Sequence, residues 1–295
     1  MVDDDDIAAL RKVAEGQAGL CTIVGIEGSY SRALGSHLAV AADGSMAGTL
    51  ADGCLEAELA RQLASCRASG KAQTLRYGSG SPFLDFRLPC GAGIDILCEP
   101  YPDVVATRRA LARLDAREEA VLTHDQAGRT PFVRRYRPAL RLLIFGAGSE
   151  TAAMARLGRA AGAEAEIYAA GEGYGLGTAP LNIVVDRWSA IILLFHDHEW
   201  ERGLLPWALA SPAFYVGAIG GRRTAAARTA FLREAGYSPA SIGRLAGPIG
   251  LLPSTRTPAT LALSILAEVA ADYIDAKSVS SSRPQLADRR AAVGF

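Results

Sequence analysis

Two cysteines stand where a thiol could do chemistry. Cys54, in "GTLADGCLEAELA" (48–60), follows Gly53 at the start of a helical pattern, where backbone N–H groups favour a thiolate that acts as nucleophile or soft-metal ligand. Cys90, in "RLPCGAGIDILCEP", lies among glycines that allow tight turns or the close approach of a ligand. Packing is the competing reading for both, because free cysteine often serves as a small buried hydrophobe. Cys21 and Cys98 fall in strand patterns and Cys66 near a helix end, and these three are read as structural.

Other groups suit anions. In "EGSYSRALG" (27–35), Ser29, Ser31 and Arg32 lie between Gly28 and Gly35, an arrangement that fits phosphate or a molybdate-like oxyanion, or a plain connecting loop. In "LLIFGAGSETAAMARL", Gly146 and Gly148 follow an apolar strand and open a helix, half of a dinucleotide fingerprint. Thr151 takes the third glycine position, Ala169 and Ala170 stand where a ribose-binding acid is expected, and Glu172 lies past a glycine. NAD(P) is therefore the weaker of the cofactor readings.

The stretch "FHDHEWE" (195–201) ends a buried strand, and His196, Asp197, His198 and Glu199 could bind metal or move protons, or form a polar tip that caps the next helix. Strand alternation would put His196 and His198 on one side and Asp197 on the other. Arg222 and Arg223 follow two glycines at a helix start, and Arg256 precedes Thr257 and Pro258, a cap and first-turn proline. Three such ends in one sheet suggest a multiply charged ligand.

The elements that position these residues change character along the chain. A length of 295 residues predicts two domains. Residues 1–137 read as an α+β domain with a mixed or antiparallel sheet: a helix begun by the acidic run Asp3 to Asp6, strands at 19–28, two short strands about Asp43 and Gly44, a helix holding Leu55, Leu59 and Leu63, strands at 72–77 and 93–98, a helix at 103–117 and a hairpin near 119–135. "RRYRPAL" (134–140) reads as a linker. Residues 138–277 alternate strands and helices, the pattern of a Rossmann-like parallel sheet covered on both faces, with "EWERGLLPWALAS" a proline-interrupted, partly helical stretch. Residues 278–295 read as a mobile tail.

Whole-chain properties narrow the partners. The 31 basic and 31 acidic residues cancel, which removes the electrostatic case for nucleic acid or an anionic membrane surface. The acidic start is unlike a signal peptide and no apolar run approaches the roughly 18 residues of a membrane span, so a cytoplasmic protein is expected. Five cysteines without CxxC spacing favour neither a disulfide framework nor a zinc ribbon.

Taken in order, "EGSYSRALG", "GTLADGCLE", "LPCGAGIDILCEP", "LLIFGAGSE", "FHDHEWE", "SPAFYVGAIGGRR" and "PIGL" with "RTPAT" resemble the XdhC/CoxI family over about residues 8–272. The resemblance implies a chaperone that binds molybdenum cofactor of the molybdopterin type, protects it while a cysteine desulfurase exchanges an oxo ligand for sulfide, and delivers it to the apoenzyme of a xanthine dehydrogenase-type molybdenum hydroxylase. Carried over by position, it implies that Cys54 and Cys90 contact cofactor or molybdenum, that Ser29, Arg32 and Gly35 form the first binding loop, and that Gly146, Gly148, His196, Asp197, His198, Arg222 and Arg223 belong to the second domain's site. It implies a maturation factor more than a catalyst, and a homodimer is left open; the readings kept beside it are an NAD(P)-dependent oxidoreductase and a cofactor-free docking protein for a molybdenum hydroxylase. Departures from the family pattern are Ser31 in place of proline, Asp52 before Gly53, Ala92 after Gly91, Ser149 in place of histidine, and the lost acid at Thr260.

Overall fold

The computed structural model describes residues 4–53, 55–81, 91–126, 128–169, 171, 173–253 and 255–275. The expectations for Cys54, Cys90, Ala170, Glu172 and the 278–295 tail lie outside the described residues, as does the side chain of His198. The chain divides into two compact units, Val2–Pro138 and Ala139–Phe295.

The first unit runs α1 (Asp4–Ala14), β1 (Ala18–Glu27), β2 (His37–Ala41), β3 (Met46–Gly48), α2 (Glu56–Ser69), β4 (Gln73–Gly78), β5 (Gly93–Glu99), α3 (Val104–Asp115), β6 (Ala120–His124) and β7 (Phe132–Tyr136). Its five-stranded sheet has the order β3-β2-β1-β5-β4 and is antiparallel throughout, while β6 and β7 form a separate hairpin. Alternation along β1 sends Leu20 to one face and Cys21 and Ile23 to the other, so both faces are buried. Leu10 and Val13 of α1, Leu111 and Leu114 of α3, and Leu122 and Tyr136 of the hairpin cover the first face. Leu59, Leu63 and Cys66, spaced along one side of α2, cover the second. The turn at Asp43 and Gly44 forms as expected, with the Asp43 carboxylate accepting from the Ser45 amide at 2.9 Å.

The second unit runs β8 (Arg141–Gly146), α4 (Ser149–Ala160), β9 (Glu164–Tyr168), β10 (Ser189–Leu194), a single 3-10 turn (His198–Trp200), α5 (Glu201–Ala210), β11 (Tyr215–Ala218), α6 (Arg222–Glu234), α7 (Pro239–Ile242), β12 (Leu245–Ala246) and α8 (Pro258–Asp275). The sheet is parallel with order β12-β11-β10-β8-β9. Leu142 and Ile144 face α4 and α8 through Met154, Ile265 and Val269, whereas Leu143 and Phe145 face Leu204, Leu205 and Leu209 of α5. The result is a three-layer Rossmann-like sheet. Chain direction across it reverses between β8 and β10, which makes the carboxyl ends of those strands the natural ligand position.

Two expectations are corrected, and one strand is added. Residues 134–136 of the proposed linker belong to β7, where Arg134 is anchored to the Leu34 carbonyl at 2.9 Å. Pro206 does not interrupt its stretch: α5 continues through it, because burial of Leu204, Leu205, Ala208 and Leu209 outweighs one missing N–H. β12, two residues long, carries no local signal and pairs only because β11 offers it an edge. Among the described residues, no helix is long and apolar enough to cross a membrane.

Candidate functional site

In the first unit the loop after β1 touches the flanks of both candidate thiols. Glu27 pairs with Gly93, and a Cβ on Gly28 would stand 3.6 Å from the Cα of Ala92, two residues beyond Cys90. On its other side the loop reaches the segment leading to Cys54: the Tyr30 hydroxyl donates to the Leu50 carbonyl at 2.8 Å, and Arg32 pairs with Asp52. Arg32 also reaches Asp5 of α1 at 3.5 Å, so its guanidinium is balanced by two carboxylates and ties three segments together. Ser29 is exposed. Gly35 has φ +85° and donates to the Ile23 carbonyl at 2.8 Å; a Cβ there would stand 2.6 Å from the Arg134 side chain.

Glu56, absent from the sequence-based candidates, organises the approach to Cys54. One carboxylate oxygen accepts from the Thr49 hydroxyl at 2.6 Å and from the Leu50 and Ala51 amides at 3.1 and 3.0 Å, and the other accepts from the Leu55 amide at 3.1 Å. Burial opposes its ionisation, but the Thr49 hydroxyl and these amides win and hold the carboxyl below its ordinary range. The signal was the acid within "GTLADGCLE", at the first turn of a helix whose cap, Leu55, has no capping side chain.

Cys21, Cys66 and Cys98 are all buried, as expected. The Cys21 and Cys98 sulfurs, brought opposite each other by the β1–β5 register, lie 3.6 Å apart. Burial, reinforced by Cys98, pushes the Cys21 thiol up, and burial does the same for Cys66. Cys21 and Cys66 are protonated packing thiols.

The acidic run at the N-terminus does more than start a helix. The Asp6 carboxylate, buried, accepts from the His37 amide at 2.8 Å and pairs with Arg134 at 3.3 Å. The His37 ring bonds to the Thr22 hydroxyl at 3.0 Å and to the Tyr136 hydroxyl, and lies 5.5 Å from the ring of His124, which meets Glu99 at 2.7 Å. Burial, with His124 and Arg134 adding to it, holds His37 well below the usual imidazole range and therefore neutral.

In the second unit the sequence-predicted residues gather at the carboxyl ends of the parallel strands. Gly146 has φ +144°, and a Cβ there would stand 2.6 Å from the Leu194 carbonyl, so only glycine lets β8 lie this close to β10. Gly148 (φ +93°) opens α4 with empty space over its Cα. Thr151, at the third glycine position, is buried and donates to the Gly148 carbonyl at 2.9 Å. Glu150 occupies the first turn of α4, and its carboxylate meets the Nε2 of His196 at 3.3 Å across the switch point. The His196 side chain is 81% exposed.

The strand argument for His196 and His198 fails, because β10 ends at Leu194 and His198 opens the 3-10 turn. Asp197 caps that turn, accepting from the Glu199 amide at 3.0 Å. Beyond β11, Gly221 (φ −82°) borders open space, and the exposed Arg222 and Arg223 begin α6 without an ion-pair partner among the described residues. Thr257 caps α8 as expected, accepting from the Thr260 amide at 3.2 Å.

The last residue of "FHDHEWE", absent from the sequence-based candidates, is the most firmly held. Glu201, 1% exposed, receives Arg228 Nε at 2.6 Å and a terminal guanidinium nitrogen at 2.7 Å. The same guanidinium donates to the Ile219 carbonyl at the end of β11. A glutamate followed by an arginine 27 residues later carries no periodic signal, so only the packing of α5 beside α6 reveals the pair.

Comparison with known proteins agrees with this architecture. Residues 142–269 match the family model described as the XdhC Rossmann domain, and residues 13–78 match that of the XdhC and CoxI family. The chain is 34% identical over 268 residues to the molybdenum cofactor insertion chaperone PaoD of Escherichia coli (strain K12), covering 86% of this chain and 82% of that protein. A crystal structure described as a xanthine dehydrogenase from Bacillus halodurans superimposes with a TM-score of 0.71 over 94% of this chain and 98% of that one; at 19% identity the likeness is one of fold. With both domain models in chain order and a relative of this identity along most of its length, the protein belongs to the XdhC/CoxI family.

Proposed function

We propose that the protein is an insertion chaperone that carries molybdenum cofactor to the apoenzyme of a molybdenum hydroxylase. The carrying observation is its similarity, through both units, to the E. coli chaperone. The site chemistry supports it. Gly221 leaves the start of α6 approachable, where Arg222 and Arg223 supply guanidinium charge suited to the phosphate of such a cargo, and Gly148 keeps the turn before α4 open beside it. His196, Asp197 and His198 flank that position. Cys54 and Cys90 are the thiols assigned to the molybdenum, for which a soft ligand is apt, and Ser29, Arg32 and Gly35 shape the loop between their flanks. A cysteine desulfurase supplies sulfide while the cargo is held, and release to the hydroxylase follows.

A nicotinamide-dependent oxidoreductase is less well supported. A pyrophosphate seated on α4 would meet the Glu150 carboxylate, and Thr151 fills the third glycine position. The deciding experiment is anaerobic purification from a molybdate-supplied host, with molybdenum and pterin fluorescence measured for wild type, Cys54→Ser, Cys90→Ser and Arg222→Ala/Arg223→Ala. Molybdenum and pterin in the wild type, reduced in each variant, are expected. A metal-free and pterin-free wild type that binds nicotinamide dinucleotide would overturn the proposal.

A further inference from the structure

The Glu201–Arg228 pair is buried on both sides, yet nothing in the proposed chemistry uses it directly. Its place is particular. Glu201 begins α5 immediately after the turn that follows His196 and Asp197, and Arg228 lies on the second turn of α6, which starts with Arg222 and Arg223. Arg228 also holds the Ile219 carbonyl, one residue before Gly220. Gly220 is shaped to this contact: a Cβ there would stand 2.9 Å from Thr224 and 3.3 Å from an Arg228 nitrogen. The Ile219 amide in turn donates to the Leu193 carbonyl of β10 at 3.0 Å. One guanidinium on the second turn of α6 therefore joins the start of α5 to the end of β11, and Ile219 carries the link on to β10.

We infer that Glu201 and Arg228 are positioning residues for cargo binding: the pair sets the spacing between the His196–Asp197 tip and the Arg222–Arg223 helix start. This rests on the proposed function. An apolar pair of similar volume can replace a buried ion pair without loss of stability. It cannot hold the Ile219 carbonyl or fix the mutual orientation of two helix starts, since dispersion contacts have no direction. Stability and positioning should then separate.

The test uses the full chain purified anaerobically from a molybdate-supplied host, with molybdenum content, pterin fluorescence and thermal melting measured together. For Glu201→Leu/Arg228→Met, melting near that of wild type with molybdenum content lower by about tenfold is expected, the scale on which ligand-orienting partners act. Arg228→Lys, which keeps the charge but not the planar fork, should load at an intermediate level. A doubly substituted protein that melts and loads like wild type overturns the inference; if that protein does not fold, wild-type loading by Arg228→Lys overturns it equally. Failure of the wild type itself to carry molybdenum and pterin would remove the proposed function and this inference with it. Loss of loading in Arg222→Ala/Arg223→Ala alone would leave the function standing and reject only the positioning role.

Discussion

At the scale of single residues, some charges are committed to partners distant in sequence and others to the chain close by. Arg32 serves Asp5 and Asp52, and Glu56 serves a hydroxyl and three backbone amides. Replacing Glu56 with glutamine removes charge from those bonds and should lower stability by about 2 kcal/mol in urea denaturation at pH 7. Its folded pKa lies below the unfolded value, so this contribution is full above about pH 4.3 and is lost as pH falls through the folded pKa. Glu56→Gln should accordingly show a shallower decline of stability in acid than wild type. Glu150 offers a second residue-scale test: Glu150→Gln, which removes the carboxylate facing His196 at 3.3 Å, should raise affinity for nicotinamide dinucleotide above that of wild type in fluorescence titration.

At the scale of elements, the glycine turns separate architecture from binding. Gly146→Ala forces a Cβ to 2.6 Å from the Leu194 carbonyl, at a φ that side chains rarely adopt, and should destabilise the β8–β10 pairing by about 2 kcal/mol or more, read from the shift in melting. Gly221→Val, with φ −82° and open space, should leave melting unchanged while reducing molybdenum content. The β6–β7 hairpin packs on a buried neutral histidine, His37, whose ring bonds to the Tyr136 hydroxyl and lies 5.5 Å from the ring of His124. His37 has its folded pKa depressed, so the unfolded chain takes up a proton first as pH falls below about 6.5. The hairpin's contribution is present above that pH and is lost progressively as pH falls toward the folded pKa. Hydrogen exchange of β6 and β7 amides should accelerate between neutral pH and pH 5 beyond the change of intrinsic exchange, and His37→Gln should blunt the effect.

At the scale of the whole molecule, each of the four apolar clusters draws its residues from one unit alone. Leu63→Ala, at a fully buried site of the first unit, should cost about 3 kcal/mol and lower amide protection in β1 and β5. Protection in β8 and β10 should stay as in wild type, since distant substitutions act independently. Much of this organisation is legible without coordinates. Alternating apolar residues, Asp-Gly at the β2–β3 turn, and the strand, glycine turn and helix of 141–160 are short-range signals, and motifs in order along the chain carry the family. The amino-acid sequence by itself determined these, because hydrophobic period and glycine conformation act over a few residues. Tertiary structure alone decided which side chains distant in sequence meet. Arg134 with Asp6, 128 positions apart, Cys21 with Cys98, 77 apart, and Glu201 with Arg228 are neighbours through strand register and helix packing, which close loops whose ends share no local pattern.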